Sequence, residues 1–344
     1  MSIPTPRRYF SPLRILSFLA GLGILALLLG QVDFAGLAGQ VLRARPETLL
    51  LGGLAYLGKS MVRAYRFQRV QAAPRPRYRS MLRLTLASSL ASQLLPFKLG
   101  ELAYVYLVKR ELKSSLARGV SSLMIVRVLD LLSIPVLFLL AALLFGLPEN
   151  FSGYLTYILA FAAALLLALG LGAVLVRFFP GLLERWLRAG IFDRARLLGK
   201  LRDSLRALAV DLSAYRDQQP LFLVALALAE WVINFIMFHL LLLSIGLAPH
   251  AFDTVACVTF AALASVLPVN SFGNFGTQEA GWATGLVLLG YDPQVAITSG
   301  FATHLLSLAY MLVLGGLSWL SYIIGGRRAA LANPGVHGRK TTDA

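Results

Sequence analysis

Long apolar runs alternate with short polar connections along most of the chain. They fall near residues 14–31, 47–65, 84–108, 119–146, 153–176, 221–246, 254–290 and 295–324. Runs near 20 residues suit membrane-crossing helices. Two of them are broken in the same way. "QLLPFKLGELAYVYLVKRE" (Gln93–Glu111) and "SVLPVNSFGNFGTQEAGW" (Ser265–Trp282) each carry an apolar stretch into Leu-Pro, then glycine, then a glutamate at the head of another apolar stretch. Pro96 and Pro268 lack an N–H and end the helix before them. Gly100, Gly273 and Gly276 permit close approach or positive φ.

The position of the basic residues predicts a topology. Arg7, Arg8 and Arg14 precede the first run, and "RAYRFQRVQAAPRPRYRSMLR" follows the second. The first broken run, 84–108, is flanked by basic residues on both sides, Arg83 before it and Lys109, Arg110 and Lys113 after it. A hairpin that enters from the cytoplasm and returns satisfies the positive-inside rule at both ends. The second broken run, 254–290, has no Lys or Arg at either end and fits a hairpin entering from outside. Segment 177–218 reads as a basic amphipathic helix on the cytoplasmic face.

The resulting fold class is an all-α polytopic membrane protein of six full spans plus two re-entrant broken-helix hairpins; a plain eight-span bundle is the alternative. Its expected parts are a cytoplasmic amino terminus (1–13), a first repeat (14–146, hairpin 84–108), a second repeat (147–324, hairpin 254–290) and a cytoplasmic tail (325–344). Pro96 and Pro268 lie 172 residues apart, half the chain of 344. That spacing and the opposed hairpins suggest an inverted-topology repeat, in which interrupted helices mark a midplane site.

Composition agrees. The chain is 58% hydrophobic and 14% charged, against about 25% charged in soluble domains. The net charge of +16 does not indicate nucleic acid, because no Lys or Arg occurs between Leu221 and Gly326 and the cations gather in short connections; they suit a surface facing anionic lipid. One cysteine, Cys257, excludes an internal disulfide, and the four histidines form no metal-ligand pattern. No cofactor, metal or catalytic set is expected.

The candidate site residues are the polar groups inside apolar runs, where a charge must be paired or wet. Glu101 and Glu279 either cap the helices after the breaks or face a hydrated cavity. Lys98 is placed to pair with Glu101 or to reach a lipid phosphate, and Asn270, Asn274 and Gln278 supply neutral contacts around Glu279. Arg127 and Asp130 stand three apart and are expected to pair, as structure or as cavity lining. Glu230 is the most isolated intramembrane charge. His304 is its candidate partner, a proton-linked group or a packing histidine. Tyr104 reads as packing on the Gly100–Glu101 face.

The quoted hairpins, with "SSLMIVRVLDLLSI", resemble the lysylphosphatidylglycerol synthase transmembrane-region family over roughly residues 12–325. Pro96, Lys98, Gly100 and Glu101 match its first motif, with Tyr104 where arginine is expected. Gly273, Gly276 and Glu279 match the second, with Gln278 in place of arginine. The resemblance implies a lipid flippase of the bacterial cytoplasmic membrane with both termini inside. The two replaced arginines argue against carrying over lysylphosphatidylglycerol as cargo. Only "GGRRAALANPGVHGRKTTDA" follows the last run, so the soluble synthase activity is not carried over either. Expected partners are membrane lipids, anionic or lipid-linked. A membrane enzyme acting on lipid-linked substrates and a non-catalytic partner in an envelope-biosynthesis complex are the competing functions.

Overall fold

The computed structural model describes residues 12–71, 75–95, 99–146, 220–266 and 272–332, with 163, 167 and 170 singly between them. The expected span 153–176 and the amphipathic segment 177–218 therefore lie outside the described residues, apart from those three. The same holds for Pro96, Lys98, Pro268 and Asn270. The described residues are helical, with no strand among them.

The first apolar run forms α1 (Pro12–Leu29). It is followed by a short helix that the hydropathy pattern did not separate, α2 (Phe34–Leu42), turned 86° away. Asp33 starts α2 by accepting a hydrogen bond from the Ala35 amide at 3.1 Å, an N-cap that satisfies one of the free first-turn donors. Then come α3 (Pro46–Val70), α4 (Tyr78–Leu94), α5 (Leu99–Glu111) and α6 (Leu116–Phe145). After the undescribed stretch follow α7 (Pro220–Ser244), α8 (Ala251–Val266), a 3₁₀ turn at Phe272–Asn274, α9 (Thr277–Leu288) and α10 (Pro293–Ala332).

Among the described residues, three helices are long and apolar enough to cross a membrane: Leu116–Phe145, Leu221–Ser244 and Pro293–Ile324; the bent α1–α2 pair is a fourth if it counts as one span. The chain is an integral membrane protein. Length and composition leave out α3, which carries Lys59, Arg63, Arg66 and Arg69. Yet α3 runs antiparallel to α7 from end to end. The Arg45 amide donates to the Ser244 carbonyl at 2.9 Å at one end, and Arg69 lies 5.4 Å over the Phe222 ring at the other.

Each broken run is a helical hairpin. In the first, α4 and α5 approach so closely that a Cβ on Gly100 would lie 1.9 Å from the Ser92 Cα. In the second, a Cβ on Gly281 would lie 2.5 Å from the Phe260 carbonyl oxygen. Glycine at these points lets backbones touch.

The hairpins open to opposite ends of the bundle. Arg77 and Ser80, at the start of α4, share a cavity with Glu111 and Leu112, where α5 ends. Asp253, at the start of α8, accepts a 2.7 Å hydrogen bond from Tyr291, just after α9. Helix α10 ties them together. It runs antiparallel to α4, with Ser318 donating to the Arg83 carbonyl (2.6 Å) and Trp319 to that of Ala87 (3.0 Å). It also packs on α9, where the Trp282 indole donates to Ser299 at 3.2 Å. The main apolar core lies among α7, α8, α9 and α10, around Met237, Leu241, Phe252, Trp282 and Phe301. A smaller one joins α3, α4, α5 and α6 around Phe67, Met81, Leu84 and Tyr104.

Candidate functional site: a buried junction and a charged core

The two breaks meet. Gln93, two residues before the first break, donates through Nε2 to the Gly273 carbonyl in the second at 2.8 Å, and its Oε1 accepts from Asn274 at 3.4 Å. The backbone there needs glycine: Gly276 sits at φ +94 with Leu25 of α1 where its Cβ would be, a conformation costly for any other residue. The Gly273 carbonyl fixes the Gln93 amide, because its oxygen cannot face another oxygen. The same amide nitrogen stands 2.5 Å from His304 Nε2. On its other side the ring presents Nδ1 to Glu279 Oε1. Phe275 stacks on the imidazole with centroids 4.4 Å apart.

Glu279 is fully buried and uses both oxygens. Oε2 accepts from the Gly276 amide at 2.6 Å, capping α9, and Oε1 faces His304. The capping role is therefore present, together with a second bond reaching α10. The amide-only setting expected from its own hairpin is completed by His304 on α10 and Gln93 on α4. Gln278 is half-buried beside it.

Glu101 occupies the matching place in the first hairpin and pairs with Arg127 Nη2 of α6 at 2.7 Å, at the protein surface. The expected Arg127–Asp130 pair does not form. Although three apart, the two side chains turn to different neighbours, Arg127 to α5 and Asp130 to α3. Tyr104 is buried, stacked on Phe67 (4.3 Å) and 3.0 Å from the Ser122 hydroxyl.

A second polar centre lies between α3, α6 and α7. Arg66, fully buried, donates from Nη1 to Asp130 Oδ1 at 2.8 Å and to Glu230 Oε2 at 2.5 Å, and from Nη2 to the Val126 carbonyl at 3.3 Å. Arg63 Nε donates to Glu230 Oε1 at 2.6 Å. Lys59 donates to Asn234 at 2.7 Å and stands 5.0 Å over the Tyr56 ring. Glu230 is thus not the partner of His304 but is held by two arginines. Among the described residues, Lys59, Arg63 and Arg66 share this centre with the carboxylates of Asp130 and Glu230. Charge counting groups Arg66 with the basic connection that follows the second apolar run, yet it lies buried within α3. The available signal was the 59, 63, 66 spacing, which puts all three cations on one helix face.

No metal-ligand cluster occurs among the described residues. The family model of the lysylphosphatidylglycerol synthase transmembrane region matches residues 14–316. The chain belongs to that family. Neither the curated proteins nor the solved structures contain a match to it.

Proposed function

We infer that the protein moves an amphiphile with a charged head group, a phospholipid or a lipid-linked polar group, across the bacterial cytoplasmic membrane. The head group passes the junction of the two hairpins while the tails stay in the bilayer. The observation carrying this reading is Gln93, which joins two helix breaks whose hairpins open to opposite ends. Such breaks expose backbone polar groups, tolerable in a membrane only where protein or water satisfies them, and opposed broken helices are how transporters build a midplane site.

Dimensions support it. The arms of 17, 13, 16 and 12 residues reach about 18–26 Å at 1.5 Å per residue, short of a core of about 30 Å. His304 lies eleven residues into α10, about 16 Å from that end. The basic residues also favour one end: Arg75, Arg77, Arg79, Arg83, Lys109, Arg110 and Lys113 gather where α4 starts and α5 ends, whereas Asp253 and Asp292 mark the other. By the positive-inside rule the first is cytoplasmic, and both termini lie on that side.

In this reading Gly100, Gly273 and Gly276 shape the breaks, and Pro96 and Pro268, expected to end the helices before them, lie outside the described residues. Glu279, His304, Asn274 and Gln278 line the junction, Glu101 and Arg127 stand beside the break of the first hairpin, and Tyr104 packs that hairpin from within; Asn270 and Lys98, expected to share these roles, lie outside the described residues. Asp130 and Glu230 hold Arg63 and Arg66 toward the head-group phosphate. Reconstitution into proteoliposomes tests this. Lipid flux without chemical change is expected. Product formation would instead indicate an enzyme, and neither flux nor product a partner protein.

A further inference from the structure

A separate cavity of about 320 Å³ lies at the basic end of the bundle, between the α3–α4 and α5–α6 connections. It is not part of the hairpin junction: Ser80 on its wall and Gln93 at the junction are thirteen residues apart on α4, about 20 Å. Three arginines line it, Arg75, Arg77 and Arg118, against one carboxylate, Glu111. Glu111 has its own cation in Arg110, at 3.5 Å. The Arg75 and Arg77 guanidiniums make no ion pair and no hydrogen bond within the described residues. Among those residues, these two cations have no carboxylate of their own at the cavity.

The rest of the lining suits an oxyanion. Ser80 and Ser114 contribute hydroxyl groups, and Gln71 an amide whose Nε2 also donates to the Tyr104 hydroxyl at 3.3 Å. The Ser114 hydroxyl is buried with no hydrogen-bond partner, and Gln71 is only 2% exposed. Two helices begin at this cavity. The cap residue of α4, Arg77, gives no side-chain cap bond, leaving first-turn amides of α4 without one; α6 starts beyond Ser115 on the other wall. Both positive dipole ends add to the arginines. Guanidinium groups with hydroxyl donors match the several oxygens and the charge of a phosphate.

We propose that this cavity is a binding site for a phosphate monoester or diester group, presented either by an anionic lipid head group or by a small soluble phosphate compound. The volume admits a phosphate with a small polar substituent. A choline head group fits poorly, because its cation would meet three guanidiniums. The site stands whether or not the protein transports lipid.

The test uses the full chain in a neutral detergent, with two arms. In one, glycerol 3-phosphate is titrated by calorimetry at fixed ionic strength. In the other, native mass spectrometry counts phosphatidate or phosphatidylcholine retained by the protein. The variants are Arg75→Gln with Arg77→Gln, and, as a control, Arg79→Gln, an exposed arginine in the first turn of α4 outside the lining. Saturable binding weakened about tenfold or more by the double variant and unchanged in the control is expected. Binding of phosphatidate alone assigns the site to a lipid head group, and binding of glycerol 3-phosphate assigns it to a soluble ligand as well. Monodispersity of the double variant separates lost binding from lost fold. No saturable binding in either arm, or equal weakening by the control, overturns the proposal. So does equal retention of phosphatidylcholine.

Discussion

The two hairpins share a plan. Each is closed by a glycine at a helix contact, and each begins its second arm with a glutamate that reaches a basic residue on the next long helix, Glu101 to Arg127 and Glu279 to His304. They differ in surroundings. The first pair lies at the surface, with side chains 28% and 51% exposed; the second is sealed, at 0% and 1%. The first glutamate meets a permanent cation and the second an imidazole that also contacts Gln93. An exposed ion pair is screened and replaceable. A sealed carboxylate bonded by an amide and an imidazole is tied to the position of three helices, α4, α9 and α10. If the hairpins move during function, the second must break buried hydrogen bonds, while the first slides in a wetter setting.

The closest backbone contact gives the largest expected effect. Gly100→Ala places a methyl 1.9 Å from the Ser92 Cα, which only separation of α4 and α5 relieves. The expected outcome is little monodisperse protein on size-exclusion chromatography, and a worse one than for Gly281→Ala, where the clash is 2.5 Å with a carbonyl oxygen. Equal recovery of the two would mean that the arms of the first hairpin separate easily.

Glutamate truncation should divide the hairpins next. Glu279→Ala leaves the Gly276 amide and the His304 proton buried without acceptors, each costing about 1–3 kcal/mol. Glu101→Ala should cost about 0–1 kcal/mol, the range for exposed pairs. Thermal unfolding in detergent separates them, and similar shifts would erase the distinction between sealed and exposed glutamates. Gln93→Leu should fall between, at about 1–3 kcal/mol, because the Gly273 carbonyl loses its donor. Arg127→Ala should be the mildest, at about 0–1 kcal/mol, and its stability loss should shrink with added salt.

Both breaks are legible in the sequence because proline and glycine punctuate helices locally. The hairpins' opposed openings follow from where arginine and lysine stand. Partners are not legible in that way. Gln93 and Gly273 are separated by 180 residues, Arg66 and Glu230 by 164, and no local rule selects them. Charge counting treats every arginine at a helix end alike and so does not separate Arg66, to which α7 and α6 bring carboxylates. The pairing assumed for Arg127 and Asp130 shows the same limit. Spacing places two residues on one face, but the packed neighbours decide which way each turns. Helix α2 was missed although Asp33 before an apolar stretch is a capping signal, because "FAGLAGQVL" continues the hydropathy of α1 with little interruption.

The central claim is that the hairpins enter from opposite faces and meet inside. Single-cysteine labelling with a membrane-impermeant maleimide in a Cys257→Ser background tests it most directly. Arg79→Cys and Lys113→Cys report the two ends of the first hairpin, and His250→Cys and Asp292→Cys those of the second. The account predicts that the first pair labels only from the cytoplasmic face and the second pair only from the other. Labelling of Arg79→Cys and Lys113→Cys from opposite faces, or of all four from one face, would contradict it.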